Sequence, residues 1–164
     1  MTAVDRASLQ LAWIDSPVGL LRALASDTAL ELLQFARAPA PRPSPRADNP
    51  ILDQTRRELE EYFAGARRTF TVPIRLRGTP FQQGVWKALC DIEYGRTVSY
   101  LEQSRMVGDE KAIRAVAQAN GQNPIAIIVP CHRVINADGK LGGYGGGLLR
   151  KQFLLDLERG DRLL

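Results

Sequence analysis

The stretch SYLEQSRMVGDEKAIRAVAQANG, residues 99–121, decides how the chain is read. Ser99 followed by Glu102 is a capping box: each side chain can accept a backbone N–H from the first turn of a helix, and Gly108 supplies its stop. Asp109 or Glu110 can cap a second helix through Ala112, Arg114, Ala115 and Ala117, with Gly121 past its end. Two helices meeting across so tight a turn predict a helix-turn-helix. Just upstream, Thr79-Pro80-Phe81-Gln82 repeats the capping pattern ahead of an apolar series at Phe81, Val85, Trp86 and Leu89, which predicts a third helix.

The preceding half has a different period. Residues 9–36 alternate apolar and polar side chains in short runs, LQLAWID and LLRALAS, parted by Ser16-Pro17-Val18-Gly19. Alternation of period two around a Pro/Gly turn predicts a β-hairpin or meander. APAPRPSPRADNP, residues 38–50, holds five of the ten prolines and predicts an extended loop. Asp48, Asn49 and Pro50 signal a helix start, with Ile51, Leu52, Leu59, Tyr62 and Phe63 near helical spacing and Gly65 as the stop. TFTVPIRL, residues 69–76, predicts a strand, at an edge because of Pro73.

Composition narrows the function classes. With 164 residues, 45% hydrophobic and 24% charged, the chain is globular in character, one domain or two small ones. No apolar run approaches the roughly 18 residues of a membrane span, and the start MTAVDRASLQ lacks a signal core, so a soluble, unexported, cytoplasmic protein is expected. The net charge of +4 is spread evenly over both halves and names no partner. Two cysteines and one histidine exclude a structural zinc site of four such ligands, and a disulfide framework is equally disfavoured.

The only histidine directly follows a cysteine, in Pro130-Cys131-His132-Arg133, at the exit of the β-branched run IAIIV, residues 125–129. That run predicts a buried strand or extended segment. A thiolate is the nucleophile and free cysteine has a pKa of about 8.5, so a reactive Cys131 needs a base or a positive charge nearby. His132 and Arg133 are suitable types, although adjacent side chains on extended backbone point apart and His132 would then act through a water. An isolated Cys-His pair is more often an inert thiol beside a structural histidine. Cys90, in VWKALC, reads as a buried thiol. Glycines at 142, 143, 145, 146 and 147 mark a loop before the amphipathic terminal helix LLRKQFLLDLERG.

The segments NPIAIIVPCHRVI (123–135), GYGGG (143–147), FQQGVW (81–86) and TVSY (97–100) together resemble the O6-alkylguanine-DNA alkyltransferase family, whose acceptor signature is PCHRV. The resemblance runs from about Gly78 to Glu158. It implies that Cys131 takes the alkyl group from O6 of a damaged guanine in one irreversible turnover, activated through a water, His132 and Glu158. It also implies that Tyr100 assists departure of the base and that Arg114 enters the duplex in place of the flipped nucleotide. Ala115 would permit close approach, and Asn123 would tether the helix to the acceptor segment. Val134, Tyr144 and Gly145 would line the base pocket. Read without the resemblance, Glu158 and Arg114 are solvated charges, Tyr100 a core aromatic, Asn123 a turn residue and the glycines a flexible link.

Two positions depart from the family pattern: Glu93 replaces a common proline before Tyr94-Gly95, and Ala117 replaces a common glycine on the second helix. The predicted fold class is α/β, a small N-terminal mixed sheet-and-helix domain (1–75) with a mainly helical C-terminal domain (76–164) containing the helix-turn-helix. The expected partner is double-stranded DNA carrying O6-alkylguanine, with O4-alkylthymine as a second candidate lesion, bound through the minor groove by a monomer, with no metal, cofactor or membrane. A Cys-His hydrolase and a non-catalytic module that binds alkylated DNA are the alternatives.

Overall fold

A computed structural model of the chain describes residues 9–37, 41–44 and 48–160. Parts of the proline-rich loop predicted over 38–50 thus lie outside the described residues. The chain divides into two compact units, the first ending at Leu76 and the second beginning at Arg77.

In the first unit, β1 (Gln10–Ile14), β2 (Leu21–Ala25) and β3 (Leu30–Phe35) form an antiparallel meander. Trp13 pairs with Arg22, and Arg22 with Gln34. The predicted turn closes through Gly19 N–H to the Ser16 carbonyl at 3.1 Å. Alternation turns Ala12, Ile14, Leu21, Ala23 and Leu33 inward. Helix α1 (Pro50–Phe63) buries Ile51, Leu52, Leu59, Tyr62 and Phe63 and packs on β2 and β3. Its cap Asn49 accepts from the N–H groups of Ile51 and Leu52 while its amide donates to the Ser26 carbonyl, so one residue starts the helix and ties it to the β2–β3 turn.

The strand predicted over 69–76 does not form. Only an isolated parallel bridge joins Ile74 to Leu30. The buried carboxylate of Glu58 takes the N–H groups of Thr71 and Val72, at 2.7 and 3.2 Å, and Pro73 has no donor. A side chain thus takes the donors that a ladder would have used.

The second unit contains α2 (Pro80–Cys90), β4 (Val98–Ser99), α3 (Tyr100–Val107), α4 (Ile113–Gly121), a 3₁₀ turn (Cys131–Arg133), β5 (Val134–Ile135) and α5 (Leu148–Arg159). Both predicted capping boxes are present, Thr79 with Gln82 and Ser99 with Glu102. Gly108, at φ +96°, ends α3 in the left-handed conformation. Helix α4 starts later than predicted. Asp109 spends its carboxylate on the Lys111 N–H, and the first turn of α4 has no side-chain cap. Gly121 is its last residue rather than the residue past its end. The two-residue strands β4 and β5 pair in parallel, and neither was predicted. Cys90 is exposed at the end of α2, contrary to the buried thiol expected. Among the described residues, no helix is long and apolar enough to cross a membrane.

Gly78 lies against the buried Trp86. A Cβ there would stand 2.7 Å from two ring carbons of Trp86 and 2.6 Å from Gln82 Oε1. Gly78→Ala is expected to destabilise the protein by about 1–3 kcal/mol, the usual cost of overpacking, measured as a lower Tm in thermal unfolding.

Candidate active site

The segment leading into Cys131 is the least regular part of the second unit. IAIIV is buried at Ile125, Ile127 and Val129, yet it forms a turn instead of the extended run its composition suggested. Ile127 sits at φ +72° in a three-residue turn closed by the Ile128 N–H to the Ala126 carbonyl at 2.8 Å. A β-branched residue in that region costs about 1–3 kcal/mol, and such strain is held only where surrounding contacts enforce it. Asn123 supplies several of those contacts. Its Oδ1 accepts the Ile125 N–H at 3.0 Å, and its amide donates to the Val129 carbonyl at 2.7 Å and to Cys131 Sγ at 3.3 Å. One side chain thus joins the end of α4 to the sulfur.

The 3₁₀ turn sends His132 away from solvent, where its Nε2 lies 2.7 Å from Glu158 Oε2. Arg133 completes the cluster. Its Nε and Nη2 donate to the two carboxylate oxygens of Glu158 at 2.8 and 3.1 Å, and Nη1 donates to the Ile92 carbonyl at 2.6 Å. Burial alone would raise the Glu158 pKa, but the His132 hydrogen bond and charge and the Arg133 contacts outweigh it and hold the carboxyl well below its usual range. The carboxylate therefore only accepts, so the neutral imidazole carries its proton on Nε2. Nδ1, buried and without a hydrogen-bond partner among the described residues, is left as a proton acceptor. Burial lowers the His132 pKa against the raising effect of Glu158, which keeps the ring neutral near pH 7. Burial also raises the Cys131 pKa, partly offset by Asn123 and Lys151. At rest the sulfur is a thiol, next in sequence to a histidine whose Nδ1 can accept a proton.

Cys131 opens on a cavity of about 610 Å³ lined also by Tyr100, Arg114, Ala117, Asn120, Tyr144 and Gly145, a size that suits a nucleobase with a substituent. Tyr100 is the first residue of α3. Its pKa is raised by burial and by the nearby Cys131, so its hydroxyl keeps its proton. Tyr144 is raised well above its usual value by the same two causes. Arg114 and Ala115 are both exposed on α4. Arg114 faces the cavity, whereas Ala115 is not among its lining residues. Val134 does not line it either. It is fully buried in β5, paired with Val98, because the residue after the 3₁₀ turn enters the ladder.

Lys151 went unnoticed in the sequence. Its side chain is fully buried and donates to the carbonyls of Val134, Leu141 and Gly143, tying α5 to the glycine-rich wall. Burial lowers its pKa to about 8. Lys151 and Glu158 are seven residues apart on the face of α5 that buries Leu154 and Leu155. Charges on the apolar stripe of a helix were the available signal.

Comparison with known proteins places this geometry among relatives. The family described as 6-O-methylguanine DNA methyltransferase matches twice, its DNA binding domain over residues 80–160 and its ribonuclease-like domain over residues 10–76. A methylated-DNA--protein-cysteine methyltransferase of Mycobacterium tuberculosis is 51% identical over 152 residues, covering 89% of this chain and 90% of that protein. One from Methanosarcina barkeri is 42% identical over 151 residues, covering 90% and 96%. The crystal structure of the M. tuberculosis O6-methylguanine methyltransferase superposes with a TM-score of 0.83 at 46% identity, covering 94% of each chain. That of the M. tuberculosis OGT in complex with DNA gives 0.82 at 46% identity, covering 92% of this chain and 93% of that one.

Proposed function

The chain belongs to the 6-O-methylguanine DNA methyltransferase family, and from that premise we propose how its residues carry out direct reversal of alkylation damage in DNA. Cys131 is the acceptor. The observation that carries this reading is the buried, partnerless Nδ1 of His132, on a ring oriented by Glu158 and next in sequence to a thiol that faces the cavity.

The target guanine leaves the base stack, at a cost of about a few kcal/mol, and enters the cavity with its alkyl group toward Cys131. His132 Nδ1 takes the thiol proton through one bridging water, and Glu158 stabilises the imidazolium formed. The sulfur lone pair attacks the alkyl carbon. The C–S bond forms as the carbon–oxygen bond breaks, and that electron pair stays on the guanine, where the Tyr100 hydroxyl donates a hydrogen bond to the departing base. The thioether is not cleaved again, so each molecule acts once.

Helix α4 approaches the duplex from the minor groove, and the Arg114 guanidinium occupies the place the flipped nucleotide vacates. The protein acts as a monomer, and O6-alkylguanine is the lesion it takes.

Incubation with duplex DNA carrying radiolabelled O6-methylguanine is expected to leave label on Cys131 in one-to-one stoichiometry. Many products released per protein would point to a hydrolase, and binding without labelling to a recognition module. Arg114→Ala is expected to slow repair in duplex DNA by about tenfold or more, with little effect on reaction with free O6-benzylguanine. Equal losses on both would remove Arg114 from the flipping step.

A further inference from the structure

Among the described residues, the side-chain hydrogen bonds that tie α4 to the neighbouring helices lie at its C-terminal end. At its C-terminal end the Trp86 indole N–H, from α2, donates to the Ala119 carbonyl at 2.9 Å. In the same turn Gln103, from α3, and Asn120 exchange two amide hydrogen bonds of 2.7 Å each. Gln103 is fully buried and Asn120 only 8% exposed, so each of these contacts is made away from water. At the other end the first turn has no side-chain cap, and Ile113, Arg114 and Ala115 are exposed.

A reciprocal amide pair has one geometry in which both bonds form, and a helix that rotates or slides leaves a buried donor and acceptor unmatched. Apolar contacts such as those of Val116 tolerate small shifts of register. The paired amides do not. Gln103 lies one turn beyond Tyr100 on α3, and Asn120 lies on the face of α4 that presents Arg114, Ala117 and Gly121 to the cavity. The pair therefore connects the helix carrying the cavity tyrosine to the helix carrying the cavity arginine.

We propose that Gln103 is a positioning residue for repair in DNA: by locking Asn120 it sets the rotation of α4 that aims Arg114 at the space beside Cys131. The inference rests on the reading of Arg114 given above. Gln103 lines no part of the cavity, whereas its partner Asn120 does, so Gln103 reaches the site through Asn120 and the helix that carries it.

The test compares Gln103→Met, which keeps the side-chain volume and removes the amide, with Arg114→Ala and with the double variant, on two substrates. Gln103→Met is expected to slow repair of O6-methylguanine in duplex DNA by about tenfold, within the range of coupling through a buried polar network, and reaction with free O6-benzylguanine by less than about twofold. In the Arg114→Ala background the same substitution is expected to add no further duplex-specific loss. The swapped pair, Gln103→Asn with Asn120→Gln, is expected to recover much of the duplex rate, which a simple loss of packing would not do. A duplex-specific defect in Arg114→Ala with none in Gln103→Met overturns the inference alone, and absence of the defect in both overturns the Arg114 reading with it. Should Gln103→Met fail to fold, Gln103→Asn, which shortens the amide by one methylene, takes its place under the same two outcomes.

Discussion

Cys131→Ala accepts no alkyl group, yet still binds duplex DNA carrying O6-methylguanine within about threefold of the parent affinity, as phosphate and groove contacts supply most of such binding. The loss of transfer is expected to be effectively complete, since removing a catalytic nucleophile costs on the order of a millionfold. Among the described residues Cys131 is the only sulfur lining the cavity, and the other cysteine, Cys90, is exposed at the end of α2. Cys90→Ser is the matching control and should transfer at the parent rate. Truncating Cys131 removes an acceptor of the Asn123 amide but leaves the 2.7 Å bond from Asn123 to the Val129 carbonyl, so the turn keeps its tether. Mass spectrometry after exposure to the alkylated duplex decides the matter. A mass increase in Cys131→Ala would place the acceptor elsewhere.

How far the sequence went depends on the range of the forces involved. Both capping boxes and the Gly108 stop were legible because their donors and acceptors lie within one turn of each other. The strand expected over 69–76 was not, because Glu58, more than a dozen residues upstream, takes its N–H groups. IAIIV was read correctly as buried but wrongly as extended, since an apolar run has no periodicity to separate strand from turn and the Asn123 bonds that bend it are set by the tertiary fold. Cys131, His132 and Glu158 were nominated through a resemblance, and the structure brings His132 and Glu158 into contact. Arg133, read as a positive charge for Cys131, is instead the second partner of that carboxylate, and the buried Lys151 has no counterpart in the sequence pattern. A charged residue is ordinarily a surface residue until its partners are known.

The Glu158 cluster carries the second large effect. Glu158→Gln keeps the shape and removes the charge, leaving the Arg133 guanidinium buried without a counter-ion and setting an amide N–H against a donor on His132 or Arg133. Breaking one partner of a buried ion pair costs about 3–5 kcal/mol, and for a chain of this size each kcal/mol lowers Tm by about 2–4 °C. The pH dependence has a definite sign. Because the folded protein holds the Glu158 pKa below its ordinary 4.5, the stability it contributes is fully present above that value and is lost as pH falls through the lower, folded value. Acid unfolding of the parent should therefore show a loss beginning below about pH 4.5 that is weaker in Glu158→Gln. The rate falls for a separate reason. Glu158 is what raises the His132 pKa against burial, and without it the imidazole is a weaker base whose charged form has no counter-ion. Transfer to Cys131 is expected to slow by about 10²–10⁴-fold, measured at a temperature where both proteins are folded. If the rate holds while Tm drops, Glu158 supports the fold and His132 takes the thiol proton without it.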